Sequence, residues 1–339
     1  MKKLIMVYVM LISLFMLYVT SYQLTSSKYD SLSQMNNCTK GDISEKYVMV
    51  SFQSGIEYWK NALKGFEDAA QVLNVSVEYY GATNRDVNEQ VTVLEQVIAK
   101  KPAGIALSAI DPDALHAVID KAYLAGIPIV LFDSGSPKSK ALSFLGTNNY
   151  QAGVIAAHEM AVLIQQSGQV AVVSMPNQLN MAQRYAGFKD TIALHYPQIQ
   201  MVIFEDGKGD HFEAQLATNR IFDQYPHIKG IFVTEAVAGA GVGHAVKRLD
   251  KLSQTKIISF DTDRDTLDLV KDGTITITLA QGTWNMGYWS LQYLYHLQHD
   301  PAQLGQTWNQ QKKSPIVPVN LDTGISVVTR DNVLDYYPH

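Results

Sequence analysis

Three carboxylates, a guanidinium, an amide and two aromatics stand just beyond short apolar runs. Asp133 follows IPIVLF, Asp261 follows IISF, Glu235 follows IFVT and Gln281 follows TITITLA. Arg184 comes after VVSM, near the start of a helical segment, and Tyr58 and Trp59 come after YVMVSF. If those runs are strands of open α/β sheets, these residues lie at the carboxyl ends, where such sheets bind ligands. A polyol needs this set of groups. Each hydroxyl donates one hydrogen bond and accepts others, and the C–H face of a ring packs on an aromatic. Hydrogen bonds to charged groups are worth about 1.5–3 kcal/mol each. A few of them reach micromolar affinity, about −8 kcal/mol.

Blander roles compete. Asp133 and Asp261 could cap turns, Arg184 could pair with a surface carboxylate, Trp59 could be core, Glu235 a solvated rim residue, and Gln281 a hinge residue. Lys60 and Lys64 read as solvated surface. Catalytic readings fare worse. His116, His158, His211 and His244 are scattered without metal-ligand spacing, which places them on the surface or in the core. GAGVGH (239–244) departs from the GxGxxG spacing of a dinucleotide loop, and neither GxSxG nor a P-loop occurs. Asp133 and Asp261 could make a glycosidase pair, but they fall in different β-α series. The expectation is a binding protein, with no enzymatic step, cofactor or metal.

The elements that must position these residues alternate strand and helix. The first series runs YVMVSF, a helix from about Tyr58 to Leu73, VSVEYYG, a helix from Asn84 to Lys100, and GIALSA. A helix opening with Asp111 as N-cap and Pro112 at its first position follows, then IPIVLFD. After SFLGTNN the rhythm restarts: a helix from Tyr150 to Gln166, QVAVVSM, a helix from Met181 to His195, and MVIFED. A helix around His211 to Gln224, KGIFVT, a helix around Val242 to Leu252, and KIISFD complete it. TITITLAQ, a helix from Trp284 to Gln298 and a strand near Gly324–Thr329 end the chain. GIALSA and IPIVLF are almost wholly apolar, as parallel strands covered on both faces are. The predicted fold is α/β, with two Rossmann-like lobes. Three crossovers near Gly146–Asn148, Ala280–Gly282 and Asn320–Thr323 join them. The first lobe takes 46–146 plus 283–320 and the second 147–282 plus 321–339, with the ligand cleft between.

The 339 residues allow two domains, and 47% hydrophobic with 17% charged residues suits a sizeable core. Net charge is −5 and no basic arm occurs, so nucleic acid is not an expected partner. A single cysteine, Cys38, excludes an internal disulfide. The N-terminus is more telling. Met1-Lys2-Lys3 precedes an uncharged apolar run, Leu4 to Val19, and the stretch to Tyr22 reaches ~28 Å as a helix, enough for a bilayer. The run lacks a small-x-small exit and Cys38 lies too far on for a lipobox. It therefore reads as an uncleaved signal anchor over 1–22, ahead of a cleaved signal peptide. Lysines before the span put the rest outside the cytoplasm. Residues 23–45, polar and rich in Ser and Asn, read as a flexible tether.

The stretches YWKNALKGFEDAA, AIDPDALHAVIDKAYLAGIPIVLFDS, TNNYQAGVIAAHEM, MAQRYAGFKD, YPHIKGIFVTEAVAGAG and IISFDTDRDTLDLVKDGTITITLAQGTWNMG keep a characteristic order and spacing. From about Lys46 to Thr329 they make the chain resemble the ribose-binding-protein family of type I periplasmic binding proteins. That family shares its core with LacI-type repressors. The resemblance implies that Trp59 and Tyr58 match the sugar-stacking aromatics, and that Asp133, Arg184, Asp261 and Gln281 match the hydroxyl-binding residues. It also implies closure of two lobes around a small sugar. The partner would be a membrane sensor kinase, for which the chain is the sugar-sensing subunit, or the permease of an ABC importer. A LacI-type regulator would need a helix-turn-helix where this chain has an apolar span. The chain departs from the family at Ser134, where Arg is common, at Glu235, where Asn is usual, and at Gly55-Ile56-Glu57. A second aromatic is also missing around Lys208–Asp210. The expected ligand is therefore a small sugar or polyol, with ribose itself disfavoured.

Overall fold

The computed structural model describes residues 15–16, 18–20, 41–176, 178–299 and 317–337. Most of the apolar run Leu4–Val19, most of the 23–45 tether and Cys38 lie outside them. Among the described residues no helix is long and apolar enough to cross a membrane.

Short, wholly apolar segments form the sheet centres. β3 (Gly104–Leu107), β4 (Ile129–Phe132) and β8 (Gly230–Val233) are buried at every residue, as strands covered by helices on both faces must be. The first sheet runs β11-β5-β4-β3-β1-β2, with β1 at Lys46–Ser51, β2 at Ser76–Gly81, β5 at Phe144–Gly146 and β11 at Asn320–Asp322. All its neighbours are parallel. The second sheet runs β12-β10-β9-β8-β6-β7. Its other strands are β6 (Gly168–Ser174), β7 (Ile199–Asp206), β9 (Lys256–Phe260), β10 (Ile277–Gln281) and β12 (Ile325–Val328). It is parallel except for β12, which runs against β10. Each sheet carries apolar clusters on both faces, so the expected two-lobed α/β architecture stands.

Several boundaries differ from the sequence reading for local reasons. Asp111 accepts from the amides of Asp113 and Ala114, but it caps a turn and the helix proper begins at His116. The helix expected from Val242 starts at Ala236 instead, because the Glu235 carboxylate caps it through the amides of Val237 and Ala238. A helix at Arg264–Asp272, held by Asp263 at one end and Gly273 at the other, was not anticipated. Nor were β5 and β11, each three residues long. β11 pairs with β5, so the first sheet reaches Asp322, past the boundary drawn at 320.

The chain passes between sheets at 147–148, at 282 and at 323–324, and these segments lie side by side. Thr323 N–H donates to Gly146 O at 3.0 Å and Gly282 N–H to Gly324 O at 3.2 Å. Each lobe contains a helix pair that packs closely through a glycine. A Cβ on Gly287 would lie 1.8 Å from Ala62 O, and one on Gly153 would lie 2.0 Å from Arg184 O. Only glycine permits these crossings, and the second of them fixes where Arg184 stands.

Candidate functional site

Asp133 and Asp261 leave β4 and β9 in the left-handed region, with φ of 60° and 68°. Asp tolerates that conformation better than most residues. It turns each carboxylate off its strand end toward the space between the sheets. Each backbone N–H is tied to the next strand, Asp133 to Leu145 O and Asp261 to Leu279 O. Asp133 Oδ1 accepts from the Tyr58 hydroxyl at 2.6 Å and Oδ2 from Ser108 Oγ at 3.1 Å. Asp261 Oδ1 accepts from Gln281 Nε2 at 2.7 Å.

Arg184, 1% exposed, sits in the first turns of the helix Leu179–His195, which packs on the helix Asn149–Leu163. Its Nε donates to Asn149 Oδ1 at 2.8 Å, Nη1 to Thr234 O at 2.7 Å and Nη2 to Gln281 Oε1 at 2.8 Å. The guanidinium lies 4.0 Å from the Phe260 ring centroid, a cation–π contact. Gln281 is the hub. Its Oε1 accepts from Arg184 and from Thr147 Oγ1, and its Nε2 donates to Asp261 and, at 3.2 Å, to Tyr58. One amide at a crossing segment thus ties an arginine and a carboxylate of the second lobe to the Tyr58–Asp133 pair of the first.

The electrostatics are costly. Burial pushes the Asp261 carboxyl up to about 6, against the pull of the Arg184 charge. Burial raises Glu235 to about 7, its two capping amides opposing. Asp133 is also raised by burial, with the Tyr58 hydrogen bond the largest opposing influence. The Tyr58 hydroxyl is held well above its ordinary value by burial and by Asp133. Three carboxylates desolvated this far are poor in hydration and strong as hydrogen-bond acceptors.

The other expected residues are placed differently. Trp59 is 2% exposed within the first lobe's apolar cluster. It meets Phe52, Tyr58 and Phe132 edge-on at 5.0, 4.7 and 5.6 Å. Its Nε1 has no hydrogen-bond partner among the described residues. Glu235 is buried as a helix cap, not solvated at a rim. Ser134 is buried and lines, with Asp133, a cavity of 570 Å³ that also reaches Asn149 and Asn180. Tyr58, Asp261 and Gln281 line a second cavity of 290 Å³.

Sequence reasoning missed Ser108 and Arg85. Ser108 directly follows β3, so the strand-end rule that picked Asp133 would have found it. Arg85 lies in the loop after β2. It is an exposed residue whose guanidinium carbon sits 5.2 Å from the Phe52 ring centroid. Burial lowers its pKa, with Glu235 and Asp133 pulling the other way. It also approaches Gly209 of the second lobe, where a Cβ would meet Arg85 Nη1 at 3.2 Å.

Residues 47–300 match the family model described as a periplasmic binding protein domain. Among solved structures, the arabinose binding protein AraP from Geobacillus stearothermophilus is 58% identical. That match covers 87% of this chain and 99% of the relative, with a TM-score of 0.79. A sugar ABC transporter sugar-binding protein from Bacillus halodurans is 55% identical over 86% of this chain and 100% of its own, with a TM-score of 0.81. A structure described as the XylFII-LytSN complex is 27% identical over 84% of this chain and 98% of that one, with a TM-score of 0.73.

Proposed function

We propose, from the premise that this chain belongs to the periplasmic binding protein domain family, that it binds a small sugar outside the cytoplasm by closing two lobes, without transforming it. The observation that carries this reading is the Gln281 hub. Through it the buried acceptors Asp133 and Asp261 and the buried donor Arg184 form one polar network contributed by both lobes. A sugar's hydroxyls can donate to both carboxylates while its oxygens accept from the guanidinium. Contacts from two lobes also supply closure. Moving a 1:99 equilibrium to 99:1 needs about 5.5 kcal/mol of preference for the closed state, which one lobe's contacts alone do not give. The ligand class is a pentose, arabinose first, supported by the 58% identity to an arabinose binding protein.

For the partner, the chain acts as the sugar-sensing subunit of a membrane sensor kinase. Two things support this: the apolar run Leu4–Val19, which suits a tethered receptor, and the XylFII-LytSN complex, in which a protein of this fold is assembled with another protein. Delivery of the sugar to an ABC importer is the second reading, favoured by the Bacillus halodurans relative.

A thermal-shift screen of the full-length chain against pentoses, hexoses and polyols tests the binding claim. Ligand at 100 times its Kd adds about 2.7 kcal/mol, a rise of several degrees. No shift with any pentose would remove the ligand assignment. A strain lacking the chain separates the partners. Under sensing, arabinose uptake returns when the transport genes are expressed constitutively; under delivery, it stays lost.

A further inference from the structure

Three side chains that are separate in sequence, none of them a member of the Gln281 network, meet on the second lobe. His211 opens the helix His211–Gln224, His244 lies in the helix Ala236–Arg248, and Asp265 is in the first turn of the helix Arg264–Asp272. The His211 and His244 rings are 5.3 Å apart between centroids, and His244 Nε2 is 3.4 Å from Asp265 Oδ1. One ligand atom from each residue lies within 4.8 Å of those of the other two, and no other such trio occurs among the described residues.

We propose that His211, His244 and Asp265 form a divalent transition-metal site that clamps three helices of the second lobe. The glycine-rich stretch before His244 makes the meeting possible. A Cβ on Gly241 would stand 2.4 Å from the carbonyl oxygen of His211, so only glycine lets the two helices approach this closely. GAGVGH is thus the device that carries His244 to His211.

Two imidazoles and one carboxylate suit Zn²⁺, Co²⁺ or Ni²⁺, not the all-oxygen preference of Ca²⁺ or Mg²⁺. Three protein ligands leave a fourth tetrahedral position for water. At metal–nitrogen distances of about 2.0–2.1 Å, ligand atoms in a tetrahedron sit roughly 3.3 Å apart. The trio must therefore draw inward by about 1.5 Å at most. The exposed Asp265 and half-buried histidines can do so by small side-chain rotations. Gln215 Nε2 lies 3.1 Å from His211 Nδ1, and its Oε1 accepts from Arg248 Nη1 at 2.6 Å, which holds the ring in its metal-free orientation. With Gln215 Oε1 held by Arg248, its Nε2 donates to His211 Nδ1. Ligation through His211 Nε2 needs Nδ1 to carry the proton instead, so metal binding must release Gln215 from this contact and from Arg248. Asp265 lies four residues beyond Asp261, so the metal also anchors the segment that leaves the sugar network.

The test is titration of the full-length chain, without a polyhistidine tag, with Co²⁺. One equivalent should bind with the intense visible absorption of a tetrahedral cobalt centre, and Zn²⁺ should displace it. His211→Ala and His244→Ala should each lower affinity by more than the about 10–100-fold typical of losing an outer-shell partner. Their thermal unfolding in EDTA should match that of the parent chain. His158→Ala, a histidine beside His195 and Tyr196, should bind Co²⁺ as the parent does. Absence of a stoichiometric cobalt complex, or equal binding by the double His211→Ala/His244→Ala variant, would overturn the site.

Discussion

Asp133 and Asp261 occupy the same station in two similar sheets, yet they keep different company. Each follows the third strand from one end of its sheet, has a left-handed φ and is tied by its amide to the neighbouring strand. Around Asp133 the first lobe places hydroxyls and an aromatic wedge: Tyr58, Ser108, Phe52, Trp59 and Phe132. Around Asp261 the second lobe places an amide and a buried guanidinium. The repeated scaffold fixes where the carboxylates stand. The unlike neighbours decide what each can do. Hydroxyl donors hold Asp133, with the Arg184 and Arg85 charges acting on it as well. An amide donor holds Asp261, on which the Arg184 charge acts most strongly.

The largest effect should come from the first lobe's wedge. Trp59→Ala deletes a core indole and should cost about 3–5 kcal/mol of stability, as large core truncations do. Urea unfolding reads it directly, and an unchanged midpoint would show that the wedge is not structural.

The next contrast sets the two carboxylates against each other. Asp133→Asn and Asp261→Asn should each weaken sugar binding by roughly 10–150-fold, the worth of a charged hydrogen bond of about 1.5–3 kcal/mol. Asp261→Asn should also raise stability at neutral pH, and by more than Asp133→Asn, since it removes a desolvated charge with a single side-chain hydrogen-bond donor in the network. Asp133→Asn disturbs two hydroxyl donors and should gain less. Equal stability changes would mean the neighbours do not distinguish the lobes.

The pH dependence follows from the same burial. Glu235 and Asp261 have folded values raised to about 7 and about 6. Between those values and their unfolded ones the native state holds protons that the unfolded chain releases. Their contribution to stability therefore rises as pH falls from above 7 to near 4, and is unfavourable above 7. Sugar affinity should move oppositely, falling below about pH 6 as Asp261 loses its charge. Calorimetry of the parent chain and Asp261→Asn at pH 8 and pH 5 should show a stability gap that closes at the lower pH. A gap of constant size would refute the raised value.

The smallest effect is expected from Tyr58→Phe. It removes the donor to Asp133 and one acceptor of Gln281, worth about 1 kcal/mol, or ~5-fold in affinity. Unaltered binding would place the Tyr58 hydroxyl outside the recognition network.

Much of this was legible in the chain itself. Fully apolar runs such as IVLF and GIFV announce buried parallel strands, because no exposed strand can be apolar on both faces. The polar residue that ends each run then marks a strand end, and this picked out Asp133, Asp261 and Gln281, which the structure gathers into one hydrogen-bonded network with Tyr58. Cap chemistry was read less well. Glu235 caps the start of a helix that the hydrophobic pattern began six residues later, because alanine and glycine carry almost no periodic signal. β5 and β11 are too short to show a pattern, and they exist because neighbouring strands lend them hydrogen bonds.

Sequence therefore determined the alternation of strand and helix, the two lobes and the strand-end acids, since these depend on residues near one another in the chain. Tertiary structure alone decided that Trp59 is walled in by three rings, that Gln281 joins both lobes, and that His211, His244 and Asp265 meet. Those facts depend on contacts between elements separate in the chain, 223 residues apart for Tyr58 and Gln281. For His211 and His244 they depend on a backbone approach that Gly241 permits. No local spacing encodes the distance between two helices; packing sets it.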